Sequence, residues 1–289
     1  MSRWTAADVP DLTGRTVLVT GATSGLGRAT AEILAARGAR VLATGRDVSR
    51  LPAGVEPVEL DLADQASVRA AAAAIRDPID VLVNNAGVMG TPPTYTVDGF
   101  ELQIATNHLG PAALTWLLLP QVTRVVTVSS LAHRGGGLDP DDLHFRRRPY
   151  RASVAYAQSK LANLLFTAEL ARHGVFAVAA HPGLADTALH ANSLRRRGLG
   201  GLARPVNAVL CQRVERGVLP QLYAAVGPVA PGDYVGPRGL GETRGYPGPA
   251  RRSAAAQDPA LARRLWDATV AETGVTPDLR PEVGEDTEA

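Results

Sequence analysis

The chain has 289 residues, 45% hydrophobic and 20% charged, enough to bury a full core in one large α/β domain or two small ones. With 30 basic and 28 acidic side chains the net charge is only +2, which argues against nucleic acid as the main partner. A single cysteine, Cys211, excludes an internal disulfide and a cysteine-based metal site.

Residues 1–10 carry no apolar run of the signal-peptide kind, so a protein of the reducing cytoplasm is expected. The chain then alternates. Short β-branched runs at 16–20, 40–44, 55–60, 80–84, 124–129 and 175–181 are separated by Ala/Leu-rich stretches of helical length at 25–37, 64–76, 98–119 and 153–173. This spacing predicts βαβ units and a parallel sheet buried on both faces. Right-handed crossovers make that a single α/β domain over 1–289, a Rossmann-type doubly wound sheet with helices on both faces. The longest apolar stretch, 109–120, is too short to span a bilayer, so no membrane partner is expected. Two Gly- and Arg-rich insertions, at about 131–152 and 183–205, interrupt the rhythm and are expected to wall a pocket as lid-like loops. Their arginine runs, at 146–148 and 195–197, read as solvated charge. Asp258-Pro259 followed by Leu261, Leu265 and Trp266 predicts a capped amphipathic helix, and the acidic tail after about 275 is expected to fray.

The first strand runs into Thr20-Gly21-Ala22-Thr23-Ser24-Gly25-Leu26-Gly27, a glycine-rich turn that opens the first helix. In that context Gly21, Thr23, Ser24, Gly25, Leu26 and Gly27 are candidates to cradle a dinucleotide pyrophosphate on exposed N–H groups. The G-x-x-x-G-x-G spacing puts an extra residue early compared with G-x-G-x-x-G. The second strand ends in Gly45-Arg46, not in an acidic residue, so Arg46 can fork onto a ribose 2′-phosphate and NADP(H) is favoured over NAD(H). Arg28 is a possible second cation, and Asp47 a possible helix cap. Asp61-Leu62 either meets the adenine or leaves Asp61 to cap the next helix. Asn84-Asn85-Ala86-Gly87 suits the floor of the adenine-side ribose or a purely structural turn.

Further on, Tyr156-Ala157-Gln158-Ser159-Lys160 places a phenol and an ammonium on one helical face. A nearby ammonium favours phenolate, so Lys160 is expected to lower the Tyr156 pKa into general acid–base range. Ser129-Ser130 ends a strand at the sheet's carboxyl edge, where a hydroxyl can hold a substrate oxygen. Asn107 is an awkward residue inside a long helix, either holding a water or kinking it. His108, His133 and His144 are possible pocket-rim residues without metal-ligand spacing, and no metal is expected.

In this order, these motifs resemble the short-chain dehydrogenase/reductase superfamily from about residue 14 to 274. Asn107-His108-Leu109-Gly110, Val128-Ser129-Ser130-Leu131-Ala132-His133, Ser159-Lys160-Leu161-Ala162-Asn163 and the long gap between Ser130 and Tyr156 are similar to its retinol-dehydrogenase-like branch. The resemblance implies Tyr156 as acid/base, Ser130 (the second of its pair) as the group positioning the substrate oxygen, and Lys160 with Asn107 as a proton relay. It also implies that Lys160 meets the nicotinamide ribose and that Pro182, Gly183 and Thr187 lie near the carboxamide. Membrane-bound relatives carry a hydrophobic anchor that this N-terminus lacks, which weakens any transfer of retinoid substrates. Carbonyl–alcohol redox chemistry on a small molecule is the expectation. The alternatives are a redox-neutral NADP(H)-using epimerase or dehydratase and a noncatalytic dinucleotide sensor. A homodimer is possible through Leu161, Leu164, Leu165 and Ala168, although packing on the sheet is the commoner use of such a stripe.

Overall fold

The structure is a computed structural model and describes residues 3–184 and 213–279. Its strands are β1 Thr16–Val19, β2 Arg40–Gly45, β3 Glu56–Glu59, β4 Ile79–Asn84, β5 Val122–Val128, β6 Ala177–Ala180, β7 Tyr234–Pro237 and β8 Pro247–Pro249. They form one sheet in the order β3-β2-β1-β4-β5-β6-β7-β8, parallel throughout except for the last pair. The first six match the expected runs. β7 and β8 are short and rich in Gly and Pro, so no β-branched pattern announced them. They are strands because β6 offers an open edge, which β7 takes up at Ala179–Tyr234 and Ala180–Val235.

Alternate side chains of each strand feed opposite faces. Val17 and Val19 pack with Ala31 and Leu34 of α1 (Gly25–Ala36), and α5 (Leu219–Val226) lies on the same face. Leu18, Leu42 and Leu82 point the other way, toward α2 (Gln65–Ala74) and α3 (Gly110–Leu118). α4 (Ala152–Arg172) and α6 (Pro259–Thr273) complete that second face. As expected, Asp258 caps α6 by accepting from the Ala260 and Leu261 amides. Strand order reverses between β1 and β4, so a crevice opens at their carboxyl ends.

The helix expected over 98–119 starts later. A short turn at Leu102–Ile104 leads into a π-helical segment, Ala105–Leu109, before α3. Pro111 lacks the N–H that an α-helix would aim at the Asn107 carbonyl, so the wider i→i+5 register, seen in Gly110 N–H to Ala105 O, relieves the mismatch.

Two expectations need correction. The 131–152 insertion is packed, not lid-like, with buried His133, Leu143, His144 and Phe145. Of its arginines, Arg146 and Arg147 are exposed, as solvated charge should be, and Arg148 is half-buried. Arg148 pairs with buried Asp142 at 3.0 Å, Arg146 donates to the Gly99 carbonyl and Arg147 to that of Asp141. The stripe offered as a dimer seam is internal. Leu161, Leu164 and Leu165 are fully buried with Leu265 and Ala262 of α6, and Ala168 is half-buried. Within the single chain, 15 of the 21 residues of α4 are buried. Thr187, Arg195–Arg197 and most of the second insertion lie outside the described residues. Among the described residues no helix is long and apolar enough to cross a membrane.

Candidate active site

The glycine-rich turn joins β1 to α1 at the crevice, and its glycines are there for steric reasons. Gly21 and Gly25 take left-handed backbone, at φ 68 and 56. A Cβ on Gly27 would come 2.3 Å from both the Asn85 Nδ2 and the Gly21 carbonyl oxygen. Ser24 stands at the N-cap of α1 without spending its hydroxyl on a cap, while Thr23 and Leu26 flank the turn half-buried. A concave turn, a helix N-terminus and an uncommitted hydroxyl together suit a pyrophosphate.

The floor beneath is braced by polar side chains. Thr20 Oγ1 accepts from the Asn85 and Ala86 amides at 3.0 and 3.1 Å, and Asn85 Nδ2 donates to the Thr20 carbonyl at 2.8 Å. Asn85 thus spends its amide on holding the turn, the structural option for this motif. Gly45 packs against Thr23, where a Cβ would lie 2.4 Å from its Cγ2. Arg46 follows, exposed, at the rim of the same crevice. Arg28, the possible second cation, is exposed and pairs with Glu32 at 2.9 Å. Asp47 does cap a short turn by accepting from Ser49 N. Asp61 caps nothing, because Asp64 is the N-cap of α2. Its carboxylate accepts from Ala63 N within its own loop. Leu62 is buried, with its carbonyl against Gly110, where a Cβ would come within 2.1 Å.

On the other side of the crevice the expected group assembles. α4 presents Tyr156 and Lys160 under the carboxyl end of β5, and the Ser130 hydroxyl is near enough to the Tyr156 phenol to favour its charged form. Ser129 turns away and donates to the Lys160 carbonyl at 2.7 Å, which separates the roles of the two serines. Lys160 Nζ donates to the Val128 carbonyl at 2.9 Å and sits 5.8 Å from the centre of the Tyr156 ring. Asn107 Oδ1 accepts from Val88 N at 2.7 Å, and its Nδ2 donates to Ser159 Oγ at 2.9 Å. Gly87 closes the triangle, since a Cβ there would meet Asn107 Oδ1 at 3.1 Å and Lys160 Nζ at 3.6 Å.

The electrostatics overturn one expectation. Burial pushes the Tyr156 phenol up to about 12, opposed by the nearby Ser130 hydroxyl, and Lys160 does not lower it. Burial also pulls the Lys160 ammonium down to about 8, with its protons aimed at a carbonyl rather than at the phenol. Spacing along a helix gave the shared face but not the depth at which both groups sit.

The histidines were misplaced as rim residues. His108 is buried against Phe166, accepts or donates at Thr269 Oγ1 (2.9 Å), and is held near 4 by burial. His144 stacks on Phe100 and accepts from Glu101 N. His133 lies beneath Ser130, its Nδ1 2.7 Å from the Ser130 carbonyl. Pro182 and Gly183 follow β6, with Gly183 at φ 67 and its amide on His181 Nδ1 at 3.1 Å. Nothing in the sequence pattern signalled Gln158, whose amide donates to the Leu143 carbonyl and accepts from Arg148, clamping the insertion to α4. Nor did it signal buried Glu242, whose partner Arg134 lies far back along the chain.

Comparison with known proteins agrees with this geometry. A sequence profile described as short chain dehydrogenase matches residues 15–198. Human retinol dehydrogenase 13 is 38% identical over 283 residues, covering 88% of this chain and 82% of that protein. A probable oxidoreductase of Streptomyces antibioticus is 38% identical over 292 residues, covering 89% and 97%. A solved uncharacterized protein from Mycobacterium paratuberculosis superposes with a TM-score of 0.83 at 43% identity, covering 96% and 100%. A candidate NAD(P)-dependent gluconate 5-dehydrogenase from Beutenbergia cavernae, solved with NADP at low occupancy, gives 0.58 at 30%, covering 75% and 91%. The glycine turn, the Ser130–Tyr156–Lys160 group and these relatives converge on one conclusion: the chain belongs to the short-chain dehydrogenase family, in its retinol-dehydrogenase-like branch, and is an oxidoreductase that uses a nicotinamide dinucleotide on a small molecule.

Proposed function

We propose that this protein is an NADP(H)-dependent oxidoreductase interconverting a carbonyl and an alcohol on a small organic substrate, with Tyr156 as its proton donor and acceptor. The observation that carries this reading is the buried Tyr156 phenol beside the Ser130 hydroxyl, with Lys160 on the same helix and the glycine cradle across the same crevice. The residues fit the dinucleotide. The turn formed by Gly21, Thr23, Ser24, Gly25, Leu26 and Gly27 would hold its pyrophosphate, and Arg46 beside Gly45 a 2′-phosphate. Asp61, Leu62, Asn85, Ala86 and Gly87 would line the adenosine side, and Pro182 and Gly183 the nicotinamide side. When bound, NADPH supplies the hydride.

The protein supplies the rest. Ser130 holds the substrate oxygen and Tyr156 gives it a proton as the carbonyl carbon is reduced, so the carbonyl bond becomes an alcohol. A phenol kept protonated by burial suits this direction. Lys160 stays on the same helical face with its ammonium on the Val128 carbonyl, and Asn107 is fixed beside it by Val88 and Ser159. No observation favours a redox-neutral enzyme or a sensor. A change in nicotinamide absorbance during turnover excludes both.

The test is Tyr156→Phe assayed against a panel of ketones, aldehydes and secondary alcohols with NADPH and with NADH. Turnover should fall about 10³-fold with NADP+ affinity unchanged. Turnover within threefold of wild type would remove Tyr156 from this role, and a wild-type preference for NADH would remove Arg46.

A further inference from the structure

A buried polar cluster lies next to the reaction centre but outside the group already described. Its hub is Glu242, which follows β7. Its backbone is left-handed at φ 59, a conformation that a glutamate seldom adopts and that the surrounding contacts must hold. Its carboxylate is fully engaged. Oε2 accepts from Arg134 Nη2 at 2.5 Å, and Oε1 accepts from both the backbone amide and the Nε of Arg251 at 3.1 Å. Oε2 also lies 3.5 Å from His181 Nε2.

The tautomer of His181 follows from its other nitrogen. Nδ1 accepts from the Gly183 amide at 3.1 Å, so it carries no proton. The ring is buried and neutral, so its proton is on Nε2 and faces Glu242. Gly236 beneath the ring leaves it no alternative position, since a Cβ there would reach 2.0 Å from Nε2. The next residue completes the link: the Thr243 carbonyl accepts from Leu184 N at 2.8 Å and lies 2.3 Å from where a Gly183 Cβ would stand. In the other direction, Arg134 belongs to the turn that Ser130 caps.

We propose that Glu242 is a positioning residue holding both walls of the reaction centre, the Pro182-Gly183 turn through His181 and the Ser130 turn through Arg134. This rests on the functional reading above, in which the first wall meets the nicotinamide and the second the substrate oxygen. Glu242 touches neither; it fixes the groups that do.

The experiment compares NADP+ with 2′-phospho-ADP-ribose, which lacks only the nicotinamide, by calorimetry on the full chain. Kinetics on a ketone reduced by wild type and thermal unfolding accompany it. Glu242→Ala should weaken NADP+ about tenfold, leave 2′-phospho-ADP-ribose within about twofold, and lower kcat about tenfold or more. His181→Ala should weaken NADP+ to the same degree. His181→Asn, whose Oδ1 replaces Nδ1 as acceptor for the Gly183 amide, should restore NADP+ affinity to within about threefold. Glu242→Gln leaves one carbonyl oxygen where two carboxylate oxygens served, so it should fall between alanine and wild type. Wild-type NADP+ affinity and kcat in Glu242→Ala would overturn the proposal, as would equal weakening of both ligands with a lowered Tm. Failure of the wild-type protein to bind either ligand would instead sink the functional reading.

Discussion

The two sides of the crevice are built on different principles. The turn between β1 and α1 is held by backbone geometry within about ten residues. Left-handed glycines, a helix N-terminus and Asn85 crossing over from the neighbouring strand complete it. The wall around Ser130, Tyr156 and Pro182 is held by side chains brought together from five separate segments. Asp142 meets Arg148 and Gln158 meets Leu143, while Glu242 draws in Arg134, His181 and Arg251. The first construction is rigid because the backbone has nowhere else to go. The second is rigid only while buried charges and amides stay partnered, since an unpaired one costs more than the pair gained.

That contrast predicts which changes break which side. The largest effect is expected for Gly27→Ala, whose methyl would collide with Asn85 Nδ2 and the Gly21 carbonyl. Dinucleotide affinity measured by calorimetry should fall on the order of 100-fold, because neither backbone nor a committed amide can yield cheaply. Next is Arg46→Ala, which should lower kcat/KM with NADPH about 10- to 100-fold while leaving NADH within about threefold.

Lys160→Met moves the other way in stability. The Val128 carbonyl keeps a donor in Asn163 Nδ2 at 3.1 Å, so no acceptor is orphaned when the ammonium goes. The variant should unfold about 2 kcal/mol less readily at neutral pH, with turnover lost, when followed by chemical denaturation. The folded-state pKa of Lys160 is lowered, from 10.5 to about 8, so the penalty of burying its charge is fully present below pH 8. Between about 8 and 10.5 the unfolded chain holds a proton that the folded chain lacks. Wild-type stability from this group therefore rises with pH, and the advantage of the variant fades across that window.

The smallest effect is expected for Gly136→Ala, the counterpart of Gly27→Ala on the substrate side. Its methyl would sit 2.8 Å from the Ala157 carbonyl carbon and Cβ, easing the insertion off α4. A loss of about 1–3 kcal/mol and a several-fold rise in substrate KM, with dinucleotide affinity unchanged, would separate the two walls. If dinucleotide affinity fell as well, the sides would be coupled more tightly than the contacts imply.

The difference in construction also explains what could be read in advance. The glycine turn, the Gly45-Arg46 strand end and the Tyr156/Lys160 spacing are local patterns, and each lands in the crevice. Local pattern failed wherever depth mattered. His108 and His144 looked like rim residues and are core; Arg148 looked solvated and is half-buried on Asp142; the Leu161–Leu165 stripe was open to two uses and is covered by α6.

Alternating β-branched and Ala/Leu segments determined the doubly wound sheet, because periodicities of 2 and 3.6 leave each element only one way to bury its apolar side chains. The tertiary structure alone decided that Tyr156 is held protonated, that Lys160 faces a carbonyl, and that Glu242 braces two distant turns. Burial and polar pairing depend on which segments meet in space, and no window along the chain contains that information.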